Sequence, residues 1–119
     1  MSRPLVLVVD DHAGFRRIAR RLLEDGGFVV EEAATGIEAL AAARALSPSV
    51  VLLDVQLPDL DGFAVTETLL AERDAPPVVL ISTREAEDFG DRVAASGAVG
   101  FLPKAMLSAA SLHGLITER

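Results

Sequence analysis

Apolar runs and amphipathic stretches alternate five times along the chain. The runs Leu5–Val9, Phe28–Ala33, Val50–Leu53, Val78–Ile81 and Gly100–Leu102 predict strands. The first, third and fourth are nearly continuous in apolar residues instead of alternating, which predicts strands covered on both faces. Between them the period is helical. Phe15, Ile18, Ala19, Leu22 and Leu23 form the first stripe, and Gly26-Gly27 stops that helix. Thr35 with Glu38 forms a capping box ahead of Ile37, Leu40 and Ala41. Phe63, Thr66, Leu69 and Leu70 make a third stripe, Ala86, Phe89 and Val93 a fourth, and Leu112, Leu115 and Ile116 a fifth. All five stripes read as core. Five β–α units joined by short connections predict an α/β fold, a doubly wound (βα)5 parallel five-stranded sheet with helices on both faces. Residues 1–119 read as one domain.

The longest predicted loop, Val55–Gly62, contains Pro58, two aspartates and a glycine, and it follows a buried strand closed by Asp54. Ligands of open α/β sheets bind at the carboxyl ends of the strands, so chemistry is expected there.

Composition narrows the field. The chain of 119 residues has no cysteine, which removes disulfides and thiolate metal sites. Its formal net charge of −7 disfavours a phosphate backbone, so direct nucleic-acid binding is not expected. Arg16, Arg17, Arg20 and Arg21 crowd one side of the first helix. They read as a solvated face, with a docking surface for an acidic partner as the alternative. Leu5–Val9 is too short for a signal peptide, and no apolar run approaches the roughly 18 residues of a membrane span. A cytoplasmic protein with no membrane partner is therefore expected.

Three acids close two strands: Asp10 and Asp11 after the first, Asp54 after the third. If those strands are neighbours, the three carboxylates share a rim. Two bare carboxylates about 4 Å apart repel by roughly 4 kcal/mol at an effective dielectric of 20, so the rim calls for protonation or a cation. Oxygen ligands with few carboxylates suit Mg²⁺. Taken alone, the Asp-Asp pair reads better as helix-cap and loop acids. The fourth and fifth strands, however, end in Ser82-Thr83 and Pro103-Lys104. A carboxylate, a metal, a hydroxyl and an ammonium at one sheet edge are the parts that bind a transferring phosphoryl group.

These residues carry a resemblance. Val8-Val9-Asp10-Asp11, the stretch Leu52 to Gly62, Ile81-Ser82-Thr83 and Gly100 to Lys104 are similar, in order and spacing, to the CheY-like receiver domains of two-component response regulators. The resemblance spans essentially the whole chain. It implies a flavodoxin-like sheet of order 2-1-3-4-5 and a phosphorelay function in which Asp54 is the phosphoacceptor. It implies that Asp11 ligates Mg²⁺ directly, Asp10 mainly through water, and Gln56 through its backbone carbonyl. Lys104 would pair with phosphoryl oxygens and Ser82 would be the switch hydroxyl. Phe101 matches the aromatic that turns inward with it, an ordinary core aromatic being the plainer alternative. The donor would be a histidine kinase or phosphotransfer protein. The signal would leave through residues 84–96, 100–103 and 108–118 to a phosphorylation-dependent homodimer or an output protein.

Other positions say less. Thr83 stands where the family usually carries Ala or Gly, which tightens the pocket. His12 reads as an exposed residue of the first helical turn, a metal or phosphohistidine role being the alternative, and His113 carries no signal. An aspartate-based phosphohydrolase of the haloacid dehalogenase type uses a similar set, but Gln56 stands where its second Asp belongs, and the chain leaves no room for a cap. A receiver-like adaptor that works without phosphorylation is the third reading, against which the acid, hydroxyl and lysine set is complete. The sequence closes at Arg119, soon after the fifth helix, so a stand-alone receiver and a piece of a longer regulator are both expected possibilities.

Overall fold

The structure, a computed structural model, describes residues 3–117. The elements run β1 (Leu5–Val9), α1 (Ala13–Asp25), β2 (Val29–Ala33), α2 (Gly36–Leu46), β3 (Val50–Asp54), α3 (Gly62–Leu70), β4 (Val78–Ser82), α4 (Arg92–Ala95), β5 (Gly100–Pro103) and α5 (Ala109–Thr117). All strand pairs are parallel and the order is β2-β1-β3-β4-β5. That order makes β1 and β3 neighbours, as the three-acid rim requires.

Side chains alternate across each strand, and the alternation divides the core in two. Leu7, Val9, Val51, Leu53, Val78 and Leu80 face α2 and α3. Val6, Val8, Val50, Leu52, Val79 and Ile81 face α1 and α5. With helices on both sides, β3 and β4 are buried along their whole length. Each fully buried Leu or Ile there contributes about 1.5–3 kcal/mol relative to exposure, so these strands form a rigid platform for whatever sits at their ends.

Local chemistry sets the helix ends. Gly27, at φ 97, turns the chain out of α1, and Phe28 N–H returns to the Leu23 carbonyl at 3.0 Å. At α2, Glu38 N–H donates to Thr35 Oγ1 at 3.1 Å, but Glu38 Oε1 reaches back to the Ala34 amide and not to that of Thr35.

Several expectations are corrected. Ile18, Leu22 and Ile37 are exposed at 60%, 41% and 66%, so those stripes are not wholly core. Within α1, Ala19 and Leu23 are the fully buried pair, because α5 meets α1 along a narrow line. The fourth helix is not continuous. Residues Ala86–Phe89 form a 3-10 turn, the chain breaks at Gly90 with φ 58, and α4 is a single turn. Phe28 lies just outside β2, while Asp54, Ser82 and Pro103 are the last residues of their strands. Among the described residues, no helix is long and apolar enough to cross a membrane.

Candidate functional site

At the carboxyl edge of the sheet, β1, β3, β4 and β5 bring Asp10, Asp54, Ser82 and Lys104 together; Asp54, Ser82 and Lys104 line a cleft of about 240 Å³, and Asp10 lies buried behind it. Its lining includes Asp11, His12, Asp54, Gln56, Ser82 and Lys104. Asp10, Asp11, His12 and Asp54 each offer an atom within 4.8 Å of the others. Asp10 and Asp54 are buried, whereas Asp11 is exposed.

Lys104 ties the acids together. Its Nζ lies 2.5 Å from Asp10 Oδ2 and 3.1 Å from Asp54 Oδ2, above the Phe15 ring at 4.7 Å from its centroid. Asp10 Oδ2 is fully buried, and the Lys104 ammonium is its charge partner. Asp10 Oδ1 accepts from the His12 amide at 2.8 Å, and Asp54 Oδ1 accepts from the Gln56 amide at 3.0 Å.

The two buried carboxyls titrate in opposite directions. Burial raises that of Asp54, and the neighbouring Asp10 charge adds to the rise, outweighing the Gln56 amide and Lys104. Burial also works to raise that of Asp10, but Lys104 and His12 prevail and hold it below the ordinary value. Burial works to lower the Lys104 ammonium, but its two carboxylates hold it above the ordinary value.

The donor set fits a hard divalent cation. Several carboxylate oxygens converge beside an opening that leaves room for the waters Mg²⁺ retains. Asp11 and Asp54 offer carboxylate oxygens, and Gln56 belongs to the same lining.

The hydroxyl of Ser82 is buried and accepts the Arg84 amide at 3.0 Å. Thr83 is exposed at the lip, and Arg84 is exposed without lining the cleft. Phe101 is half-buried, its ring centroid 5.9 Å from that of Phe89, which lies 5.7 Å from that of Phe63. His12 precedes α1 at its N-cap, 69% exposed, with Nδ1 3.0 Å from Asp10 and 3.2 Å from Asp11. It borders the acids more closely than its sequence position implied. His113 stacks on Phe28 at 4.8 Å, far from this chemistry.

Three arrangements had no counterpart in the sequence pattern. Arg16 and Arg20 are held by Glu32 of β2 at 2.9 and 2.7 Å, so only Arg17 and Arg21 of that cluster remain fully exposed. Asp61 pairs with Arg92 at 2.9 Å, whose guanidinium lies 4.2 Å from the Phe63 centroid. Asp59 caps α2 from across the cleft wall. A larger groove of about 400 Å³ opens between α2 and α3 near Leu40, Arg44 and Arg73, at the opposite end of the sheet; its exposed Arg44–Glu72 pair offers no comparable chemistry.

Comparison with known proteins agrees with this geometry. The family model for the response regulator receiver domain matches residues 6–117. The chain is 42% identical to the response regulator GacA of Pseudomonas protegens over 83% of this chain and 47% of that one. It is 40% identical to a protein-glutamate methylesterase/protein-glutamine glutaminase of Symbiobacterium thermophilum, over 87% of this chain and 30% of that one. The chain thus spans about half the length of the first relative and less of the second. Among solved structures, the chemotaxis response regulator CheY4 of Vibrio cholerae superimposes with a TM-score of 0.85 at 28% identity, covering 98% of both chains.

Proposed function

Since the chain belongs to the response regulator receiver family and is a receiver domain of two-component signalling, we propose that Asp54 is its phosphoacceptor. The observation that carries this is the buried Asp54 carboxylate, held by Lys104 at 3.1 Å within 4.8 Å of Asp10 and Asp11. No other carboxylate of the rim ends a strand buried along its whole length while also facing the lysine.

A carboxylate oxygen of Asp54 attacks the phosphorus of a phosphohistidine on a histidine kinase or phosphotransfer protein. The new P–O bond replaces the P–N bond, and the departing imidazole takes up a proton. Lys104 supplies positive charge to the phosphoryl oxygens, and Ser82 is the hydroxyl that donates to one of them. Asp11, Asp54 and the Gln56 carbonyl would hold Mg²⁺, with Asp10 acting through water. When bound, the ion neutralises charge on the transferring group. The domain itself is a signalling module whose site assists transfer and autodephosphorylation. This reading places it in the cytoplasm.

Phosphorylation adds roughly −1.5 to −2 charge beside Asp54. Ser82 moves toward it, Phe101 enters the vacated space, and Phe89 transmits the change to residues 84–96. Together with 100–103 and 108–117 these form the output face, read by a second copy of the domain or by an output protein; residue 118 of the expected face lies outside the described residues. A ligand shifts such an equilibrium only through its differential affinity for the two arrangements.

Incubation with acetyl phosphate and Mg²⁺ followed by mass spectrometry is the test. One phosphoryl group should be added, and Asp54→Asn should abolish it. Robust modification of that variant, at His12 or elsewhere, would overturn the assignment.

A further inference from the structure

The β3–α3 loop is fastened sideways to α2 by a contact that phosphoryl chemistry does not itself demand. Asp59 Oδ1 accepts the Gly36 amide at 2.8 Å, and Oδ2 accepts the Ile37 amide at 3.0 Å. These are the first two amides of α2. The next two are satisfied locally, Glu38 N–H by Thr35 Oγ1 at 3.1 Å and Ala39 N–H by the Thr35 carbonyl at 3.0 Å. A helix start ordinarily leaves such first-turn amides to solvent once its N-cap is in place. Here a carboxylate from a loop more than twenty residues away takes both. The two amides hold the Asp59 carboxyl below its ordinary value, as expected for an anion at the positive end of a helix.

Gly36 points the same way independently. A Cβ at this position would lie 2.9 Å from Leu60 Cδ1 and 3.0 Å from Leu60 Cβ. The absent side chain lets the loop sit directly against the α2 backbone. At its base the loop is closed by the Gly62 amide on the Val55 carbonyl at 2.8 Å and by a bridge between Gln56 and Asp61. Those contacts join its two ends, and Leu57 and Leu60 pack against the core. The Asp59 clamp adds a sideways tie to α2, three residues beyond Gln56.

We propose that Asp59 is a positioning residue for the metal site: by gripping the start of α2 it sets the orientation in which Gln56 presents its carbonyl beside Asp11 and Asp54. The inference rests on the reading of that carbonyl as a ligand. Asp59 touches neither the ion nor the phosphoryl group. Mg²⁺ demands near-octahedral oxygen positions, so a carbonyl held in place binds it better than one that must be ordered on binding.

Mg²⁺ titrations of the full chain followed by NMR test the clamp. Asp59→Ala should weaken Mg²⁺ binding by roughly three- to tenfold, at or below the low end of what groups supporting a ligand contribute. Asp59→Asn keeps one acceptor and should fall between. The Gly36 and Ile37 amide signals should move with Mg²⁺ in the wild type and stop following it in Asp59→Ala. Thr35→Ala removes the local cap of the same helix end, so it should lower thermal stability and leave Mg²⁺ affinity unchanged. Wild-type affinity in Asp59→Ala overturns the inference alone. Equal losses in Thr35→Ala and Asp59→Ala also overturn it, because α2 stability would then be the cause. Failure of the wild type to bind Mg²⁺ overturns the metal reading and the inference with it.

Discussion

Replacing Asp54 with Asn should stabilise the metal-free protein while removing the proposed phosphoacceptor. At an effective dielectric of about 20, the Lys104 contact at 3.1 Å favours an ionised Asp54 by about 5 kcal/mol. The Asp10 carboxylate, within 4.8 Å, opposes it by at least about 3.5 kcal/mol. Charge pairing therefore returns only about 2 kcal/mol, against a desolvation penalty of several kcal/mol for a buried ion. The balance is unfavourable to the charge, in keeping with the raised Asp54 carboxyl. Asn keeps an acceptor for the Gln56 amide and sheds the charge, so a gain of about 1–2 kcal/mol is expected at neutral pH, by the same balance.

The pH dependence follows from the sign of the shift. A folded Asp54 value above 3.8 means that the folded wild type holds this proton more tightly than the unfolded chain. Wild-type stability at this site therefore falls as pH rises from 3.8 through the raised value. The advantage of Asn should grow across that window and be nearly absent at about pH 4. Asp10, whose carboxyl is lowered, contributes stability that is lost as pH falls through its folded value. That loss occurs in both proteins and largely cancels in the difference. Urea unfolding with EDTA at the two pH values measures the effect. Saturating Mg²⁺ should reverse the order, because a ligand at 100 times its Kd stabilises the wild type by about 2.7 kcal/mol. An Asn variant that is less stable at neutral pH without metal, or a difference independent of pH, would refute the electrostatic account.

Asp11→Asn should weaken Mg²⁺ binding more than Asp10→Asn, since a direct carboxylate counts for more than one acting through water; equal or reversed losses in NMR titrations would exchange their roles. Gln56→Ala should change the acyl phosphate lifetime with little change in Mg²⁺ affinity, because its side chain can orient a water but not deprotonate it. An unchanged dephosphorylation rate removes that side chain from the mechanism. With beryllofluoride and Mg²⁺, chemical shifts should spread to residues 84–96 and shrink there in Phe101→Ala; undiminished distant shifts would make Phe101 a simple packing residue. Gly62→Ala should cost about 2–3 kcal/mol in urea unfolding, because its Cβ would lie 2.4 Å from the Asp54 carbonyl oxygen. A cost under about 1 kcal/mol would show that the backbone yields there.

Strands β1, β3 and β4 were legible in the sequence because two-sided burial leaves uninterrupted apolar runs. The acids that close β1 and β3 were legible for the same reason, as polarity breaking abruptly into those runs. Sheet order was not carried by the pattern and entered through the family resemblance. The fourth helix showed only its apolar spacing, which Phe89 and Val93 satisfy whether or not the backbone is continuous; Gly90 was the overlooked sign of a break. Ile18 and Leu22 lie on the expected apolar side of α1, yet no described element covers them, and a single-chain period does not register how wide the opposing surface is. The pairs Asp59–Gly36, Asp61–Arg92 and Glu32–Arg20 join residues 12 to 31 apart in sequence with no local period. Only the assembled sheet brings them together.

The interruption at Gly90 bears on how the domain signals. An unbroken helix tilts as a rod, since its hydrogen bonds resist bending along their whole length. Here the 3-10 turn closes on itself, Gly90 N–H donating to Glu87 at 3.2 Å, and α4 does so separately, Ala95 N–H donating to Asp91 at 3.0 Å. The joint between them adopts φ 58 and ψ −131, a backbone state open to glycine and strained for residues with a Cβ. The two short pieces are thus jointed at Gly90 and gripped separately: Phe89 packs against Phe63 and Phe101, while Val93 packs on the core and Arg92 holds Asp61 and Phe63. Resetting this face would require those side-chain grips to change, with little backbone bonding to break. A partner reading it would sense an angle between two links, an angle the sheet edge could reset without melting a long helix.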